Sequence, residues 1–451
     1  MSEEQNRVTF ETRDEYQRKP ISEKIIRLLE SGAKVSPLVI DGNWGAGKTE
    51  FCQKLIHLIE DGETNLRPIY VDAFKADHAD EPLMTLMAAV LKALPKAERE
   101  PLIKKALPAI KFGAKTLLKA SVNWGLRQDA ADVVEGFEAE VKNAGDEIIN
   151  HAVETLLAIH VAAEENINTL QAALTELAED KPIVVFVDEL DRCRPDFAVN
   201  MLENIKHIFD VEGVQFVLVT NFDQLRASIN HCYGNGLDAQ RYLDKFVQFS
   251  LSLSDTHKPR GHEAVLASVT HLRRLVAHSE LLNNKSMTSE GVESFLSSLV
   301  IANRLSLREV ETLILYLEIY QTLTDGKGVA ENTIFGYCLL RIFGVYLYCF
   351  KPTIAEGMMR NVFDAAEIAA VLGKSGLFKQ LDNEYPEPSD TVLAMITIGG
   401  DISDGRFSFS EEERGKWKEA IANYFQTGFG GRRDSYSEIV AEAIETMKLA
   451  G

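Results

Sequence analysis

The 451-residue chain is long enough for roughly three domains and a large core. Its 48 basic against 68 acidic residues give a formal net charge of -20, which argues against a general binder of nucleic acid or anionic membrane and leaves room only for a local basic patch. Five cysteines (Cys52, Cys193, Cys232, Cys338, Cys349), odd in number and without a C-x-x-C pair, indicate neither a disulfide framework nor a zinc site and fit a reducing cytoplasm.

The start, Met1-Ser2-Glu3-Glu4-Gln5, is polar and acidic, the opposite of a signal peptide, so export is not expected. Residues up to 36 read as a lead-in, with Pro20 near the first turn of an amphipathic helix carrying Ile21, Ile25, Leu28 and Leu29. A short apolar strand, Pro37 to Asp41, then runs into Gly42-Asn43-Trp44-Gly45-Ala46-Gly47-Lys48-Thr49, an ungapped fit to G-x-x-x-x-G-K-[ST]. The following stretch, Glu50 to Glu60, has Phe51, Leu55, Ile56 and Ile59 close to helical spacing, so the context is strand, loop, helix.

That context suits a phosphate. Glycines let successive N–H groups turn inward at little cost, and the helix N-terminus adds donors and partial positive charge. Lys48 is expected to reach the β- and γ-phosphates and Thr49 to place its hydroxyl on Mg²⁺, with Gly42, Asn43, Trp44, Gly45, Ala46, Gly47 and Glu50 completing the nucleotide-binding set.

A second strand, Arg67 to Phe74, ends in polar residues and implies a parallel sheet. From about 81 to 180 the pattern is helical and strand-poor, long for a connection and therefore read as an insertion. Its first half carries Lys104, Lys105, Lys111, Lys115 and Lys119, with lysines at helical spacing on one face. Such a face suits a membrane surface or an acidic partner, although a solvated face over a packed helix is the more ordinary reading. The second half, Gln128 to Asp180, is acidic and suits helices packing on one another or on a second subunit.

The apolar strand Ile183 to Val187 ends in Asp188-Glu189-Leu190-Asp191-Arg192-Cys193, the form of a Walker B site. Asp188 is placed to hold the Mg²⁺ hydration shell and Glu189 to orient or deprotonate an attacking water. A further strand, Val214 to Val219, leads to Thr220-Asn221, where Asn221 is a candidate γ-phosphate sensor or equally a helix N-cap for Asp223 to Asn230. Phe246 to Leu253 alternates like a fifth, partly exposed strand.

Beyond 256 the pattern is mainly helical. Ser306 and Glu309 form a capping box, and Thr333 to Phe350, very apolar but short and interrupted by Arg341, reads as a buried helix rather than a membrane span. Breaks at Gly399-Gly400 and Gly428 to Gly431 precede a last amphipathic helix from Ser435. The expected domains are a first core part over 1–80, the helical insertion over 81–180, a second core part over 181–255, a helical lid over 256–330 and a helical C-terminal domain over 331–451.

Together, the loop with its internal Trp44, the strand end Asp72-Ala73-Phe74, the run Asp188 to Cys193 and Tyr242-Leu243-Asp244-Lys245-Phe246-Val247-Gln248 resemble the KAP family of P-loop NTPases over roughly residues 10 to 310. The resemblance implies an α/β fold of the additional-strand class, related to STAND and AAA-type ATPases, binding ATP and Mg²⁺. It also implies a link to anti-phage defence. Members often carry membrane spans between the second strand and Walker B; this insertion has no apolar run long enough, so no transmembrane segment is carried over. Residues 304 to 311 look like the lid-helix arginine region, making Arg308 a candidate second sensor, while Arg192 or Arg241 is a candidate arginine finger acting in trans.

The leading expectation is a cytoplasmic ATP hydrolase that acts as a nucleotide-dependent switch or assembly ATPase, homo-oligomeric through its lid and insertion. A non-hydrolysing nucleotide-bound scaffold is the alternative, and a small-molecule kinase ranks below it because Glu189 directly follows Asp188. No nuclease, protease or glycosidase constellation stands out, so a separate effector protein is the expected partner, and nucleic acid is not indicated by the charge.

Overall fold

The computed structural model describes residues 7–79, 81–95, 98–99, 102–103, 165, 167–234, 236–258, 263–330, 333–377, 386–398, 404–425 and 436–449. The lysines from Lys104 to Lys119, most of the acidic half of the insertion, and the glycines at 399–400 and 428–431 lie outside them. The chain divides into two compact units, one running to Asp14 and from Arg18 to Ser254, the other made of Glu15–Gln17 and Asp255–Gly451.

In the first unit α1 (Lys19–Glu30) carries Pro20 in its first turn and buries Ile25, Ile26 and Leu29. Then come β1 (Leu38–Asp41), α2 (Lys48–Asp61) and β2 (Arg67–Asp72). The second strand stops short of the expected Phe74, because the Asp72 side chain accepts the Lys75 N–H and caps a single turn, α3 (Ala73–Ala76). The ends of the insertion are helical as expected: α4 (Pro82–Ala93) and a helix over 167–180, α5. They lead to β3 (Ile183–Asp188), α6 (Pro195–His207), β4 (Val214–Thr220), α7 (Phe222–Tyr233), the short α8 (Ala239–Leu243) and β5 (Phe249–Ser252).

The five strands form one parallel sheet in the order β2-β3-β4-β1-β5. The additional strand β4 lies between the loop strand β1 and the acid-bearing strand β3. Alternate side chains pack on opposite faces. Leu38, Ile40, Val184, Phe186, Val217 and Val219 meet Ile25 and Leu29 of α1 and Phe51 and Leu55 of α2. Val39, Val71, Val185, Val187 and Leu218 meet Leu86 of α4, Leu174 of α5, Leu202 of α6 and Ile229 of α7. With both faces covered, β3 is buried along its whole length, which is why it reads as a continuous apolar run. Truncating a fully buried ring here, as in Phe186→Ala, removes about 3–5 kcal/mol.

Register brings the chemistry to one edge. Asp72 pairs with Asp188, Asp188 with Val219, and Thr220 with Asp41, so four strands end in polar residues side by side. Ligand sites of open parallel sheets lie beyond such carboxyl ends.

Among its described residues the second unit has a two-stranded antiparallel pair, β6 (Thr256–His257) and β7 (Val265–Leu266), and its other regular elements are helices. Its helices include α9 (Ala267–His278), α10 (Glu290–Ala302), α11 (Leu307–Leu323) and α12 (Phe335–Phe350), and its core includes Phe295, Phe343, Tyr346 and Trp417. The Ser306–Glu309 capping box opens α11. The very apolar stretch at 333–350 is the 16-residue α12, with Leu339, Leu340, Ile342, Phe343, Val345 and Leu347 all buried. Arg341 on it donates to the carbonyl of Gly328 at 2.7 Å and lies over the Tyr337 ring. Among the described residues no helix is long and apolar enough to cross a membrane.

Candidate active site

The phosphate-loop segment leaves β1 with the Gly42 N–H bonded to the Thr220 carbonyl at 3.3 Å. Gly45 and Gly47 take φ of 73° and 79°, in the left-handed region where a Cβ is costly; Gly47 is the N-cap of α2. The loop thus needs glycine at those two positions to turn into the helix. Lys48 follows at the first helical position, buried, with its Nζ donating to the carbonyls of Gly42 at 2.6 Å and Asn43 at 3.2 Å. Burial pulls its pKa down, and the carboxylates of Asp191, Asp188 and Asp41 oppose that fall.

The end of β3 faces the loop. Asp188 is 1% exposed, its Oδ1 accepts the Glu189 N–H at 2.8 Å, and its Oδ2 accepts the Tyr70 hydroxyl at 3.1 Å. The Thr49 hydroxyl lies beside this carboxyl and helps to hold its charge. Burial outweighs these donors and pushes the Asp188 pKa up to about 6, with the Glu189 charge adding to the rise. The same neighbourhood raises the Tyr70 phenol, through burial first and then the Asp188 charge.

A hydroxyl and a buried carboxylate of depressed acidity, meeting beside a lysine and a helix N-terminus, fit Mg²⁺ bound with nucleotide phosphates. Among the described residues no group of three or more His, Cys, Asp or Glu could hold a metal by itself. Any Mg²⁺ here would therefore take most of its oxygens from water and phosphate, as that ion commonly does.

Glu189 has φ of 60°, a left-handed conformation that costs a non-glycine residue about 1–3 kcal/mol. Its carboxylate pairs with Arg192 three residues on at 2.9 Å. That contact within one chain occupies the arginine expected to reach a neighbour. Arg241, exposed on α8, pairs with the N-cap residue Asp238 at 3.3 Å, and Arg308 is exposed in the first turn of α11, in the second unit. Asn221 is buried and caps α7, its Oδ1 accepting the N–H groups of Asp223 at 2.9 Å and Gln224 at 3.3 Å. The Glu50 carboxylate is taken up by Arg13 and by Lys54 at 2.7 Å, bracing α2 against the N-terminal segment. The structure therefore brings the loop, Lys48, Thr49, Asp188, Glu189, Arg192 and Asn221 together in the first unit.

Three residues with no expected role also stand here. Tyr70 anchors Asp188; Arg18, 6% exposed, donates to the carbonyls of Ala46 and Ser254, both at 3.1 Å; and Asp191 accepts bonds from Trp44 and Thr220. A polar aromatic in the middle of an apolar strand is a faint sequence signal for Tyr70. Arg18 and its distant carbonyl partners leave none.

The pattern of the KAP family P-loop domain matches residues 18–324, which takes in the phosphate loop, β3 and its acids, and the first helices of the second unit. No curated protein matches the chain. With its loop, its acid-bearing strand and the strand between them all inside that match, the chain belongs to the KAP family of P-loop NTPases, nucleotide-binding proteins by their shared domain.

Proposed function

We propose that the protein is a Mg²⁺-dependent ATP hydrolase whose nucleotide state switches its assembly or the activity of a partner. The observation that supports this best is the meeting of Thr49 and Asp188 next to Lys48, with Glu189 the next residue along. The loop N–H groups and Lys48 would bind the β- and γ-phosphates, and Thr49 and Asp188 would hold the cation. When bound there, Mg²⁺ would supply charge neutralisation on the phosphate oxygens. Glu189 takes up the proton of the attacking water, and Asn221, at the end of β4, orients the γ-phosphate while capping α7. Phosphoryl transfer asks for positioning and charge rather than covalent chemistry, which this donor set provides.

Glu189 starts from an ion pair with Arg192, so nucleotide binding has to compete that contact away before the carboxylate meets water. The same pair favours the second reading, a nucleotide-bound scaffold with little turnover. A neighbour's Arg241 acting as an arginine finger would complete the site in an oligomer and be worth about 10³–10⁵ in rate, with the lid's Arg308 as a second sensor. The family resemblance supports a place in anti-phage defence beside a separate effector, in the cytoplasm.

Phosphate release and nucleotide binding test the reading together. Lys48→Ala abolishes ATP binding, and Glu189→Gln retains ATP while stopping phosphate release. Unchanged ATP affinity in the first variant, or normal turnover in the second, removes the corresponding residue from the mechanism. ATP bound without phosphate release by the unaltered protein selects the scaffold. Sizing the protein with and without a non-hydrolysable ATP analogue tests assembly, and a monomer under both conditions overturns the oligomeric switch.

A further inference from the structure

Asp191 sits on the single 3-10 turn Leu190–Arg192, two residues beyond Glu189, and is 8% exposed. Both its oxygens are spoken for by other segments. Oδ2 accepts the Trp44 indole N–H at 2.6 Å, and Oδ1 accepts the Thr220 hydroxyl at 3.3 Å. Trp44 belongs to the phosphate loop and Thr220 is the last residue of β4, next to Asn221. We propose that Asp191 is a positioning residue for hydrolysis, one buried carboxylate that ties the tip of the phosphate loop to the end of β4 and so sets the loop's place relative to Glu189. This rests on the hydrolase reading above.

Trp44 itself argues for the tie. It is 50% exposed, so burying its ring contributes only part of what a core tryptophan would. The short bond from its N–H to an ionised carboxylate is the specific contact the indole makes, and charge-assisted bonds of this kind are about twice as strong as neutral ones. Gly42 is fastened to the same strand end through the Thr220 carbonyl at 3.3 Å. The loop is thus held at its root by backbone and at its tip by Asp191.

The tie is made by the Trp44 and Asp191 side chains, whereas the phosphates are bound by backbone N–H groups and Lys48, so breaking it leaves most of the nucleotide's contacts in place. It changes where the γ-phosphate rests against Glu189, and a displacement of about 1 Å costs about 10²-fold in rate. Asp191→Ala is therefore expected to lower kcat about 100-fold while KM for Mg²⁺-ATP moves less than about threefold. Asp191→Asn keeps an acceptor for Trp44 and a partner for the Thr220 hydroxyl, and should stay within about fivefold of the unaltered kcat. Trp44→Phe breaks the same link from a half-exposed position with little risk to folding, and adding it to Asp191→Ala should cost less than about twofold more.

A loss that appears in KM alone, additive single effects, or Asp191→Asn as slow as Asp191→Ala would each overturn the proposal. The tie is also read without turnover. The emission difference between the unaltered protein and Trp44→Phe isolates Trp44; it should move to longer wavelength in an Asp191→Ala background and stay in place with Asp191→Asn. No movement with Asp191→Ala overturns the link. Absence of phosphate release by the unaltered protein would instead sink the hydrolase reading, and the emission comparison still decides whether Asp191 holds the loop.

Discussion

Replacing Asp188 by asparagine should make the nucleotide-free protein more stable while removing its response to Mg²⁺-ATP. The carboxyl is 1% exposed, and burial lifts its pKa from the ordinary 3.8 to about 6 despite donors from Thr49, Glu189 and Tyr70. At about 1.36 kcal/mol per pKa unit, that gap is ~3 kcal/mol of disfavoured charge. The folded state holds the proton more tightly than the unfolded chain. The penalty is therefore fully present above pH 6 and fades as pH falls from 6 towards 3.8. Asparagine keeps one acceptor oxygen and puts an NH₂ where a donor now points, so the net gain should be about 1–2 kcal/mol. Urea unfolding without nucleotide near pH 7.5 and near pH 5 measures it, and the gain should fall by about 1.4 kcal/mol at the lower pH, to near zero. Mg²⁺-ATP should raise the melting temperature of the unaltered protein by mass action but not that of the variant. Asp188→Asn no more stable than the unaltered protein near pH 7.5, or a gain equal at both pH values, would refute the reasoning.

Two further substitutions separate roles that the geometry combines. Arg192→Ala should lower turnover by less than about tenfold, because its partner in the structure is Glu189 of the same chain; a loss of about 10³ or more would restore an in-trans finger. Asn221→Ser should leave unfolding within about 0.5 kcal/mol, since serine also caps helices, whereas Asn221→Ala should cost about 1 kcal/mol. If Asn221 also orients the γ-phosphate, Asn221→Ser lowers phosphate release at unchanged stability; normal release would leave Asn221 as a cap alone.

Local chemistry by itself determined much of this protein. The spacing of glycines before Lys48-Thr49 dictates a loop at a helix N-terminus, because no other residue takes φ near 75° so cheaply at Gly45 and Gly47. The apolar run before Asp188-Glu189 dictates a strand buried on both faces, and Ser306 with Glu309 dictates the start of α11. Each of these depends on residues a few positions apart, where periodicity and capping act.

What only the tertiary structure decided depends on partners far apart in the chain. Strand order put β4 between β1 and β3 and so set Asn221 and Thr220 beside the loop. The pairing of Arg192 with Glu189, and of Glu50 with Arg13 and Lys54, follows from where side chains come to rest, because a charged group takes whichever opposite charge packing leaves nearest. The bond from Trp44 to Asp191 spans 147 residues, and no sequence period extends across such a distance. The sequence carried the parts of the nucleotide site, and their mutual distances came from the sheet.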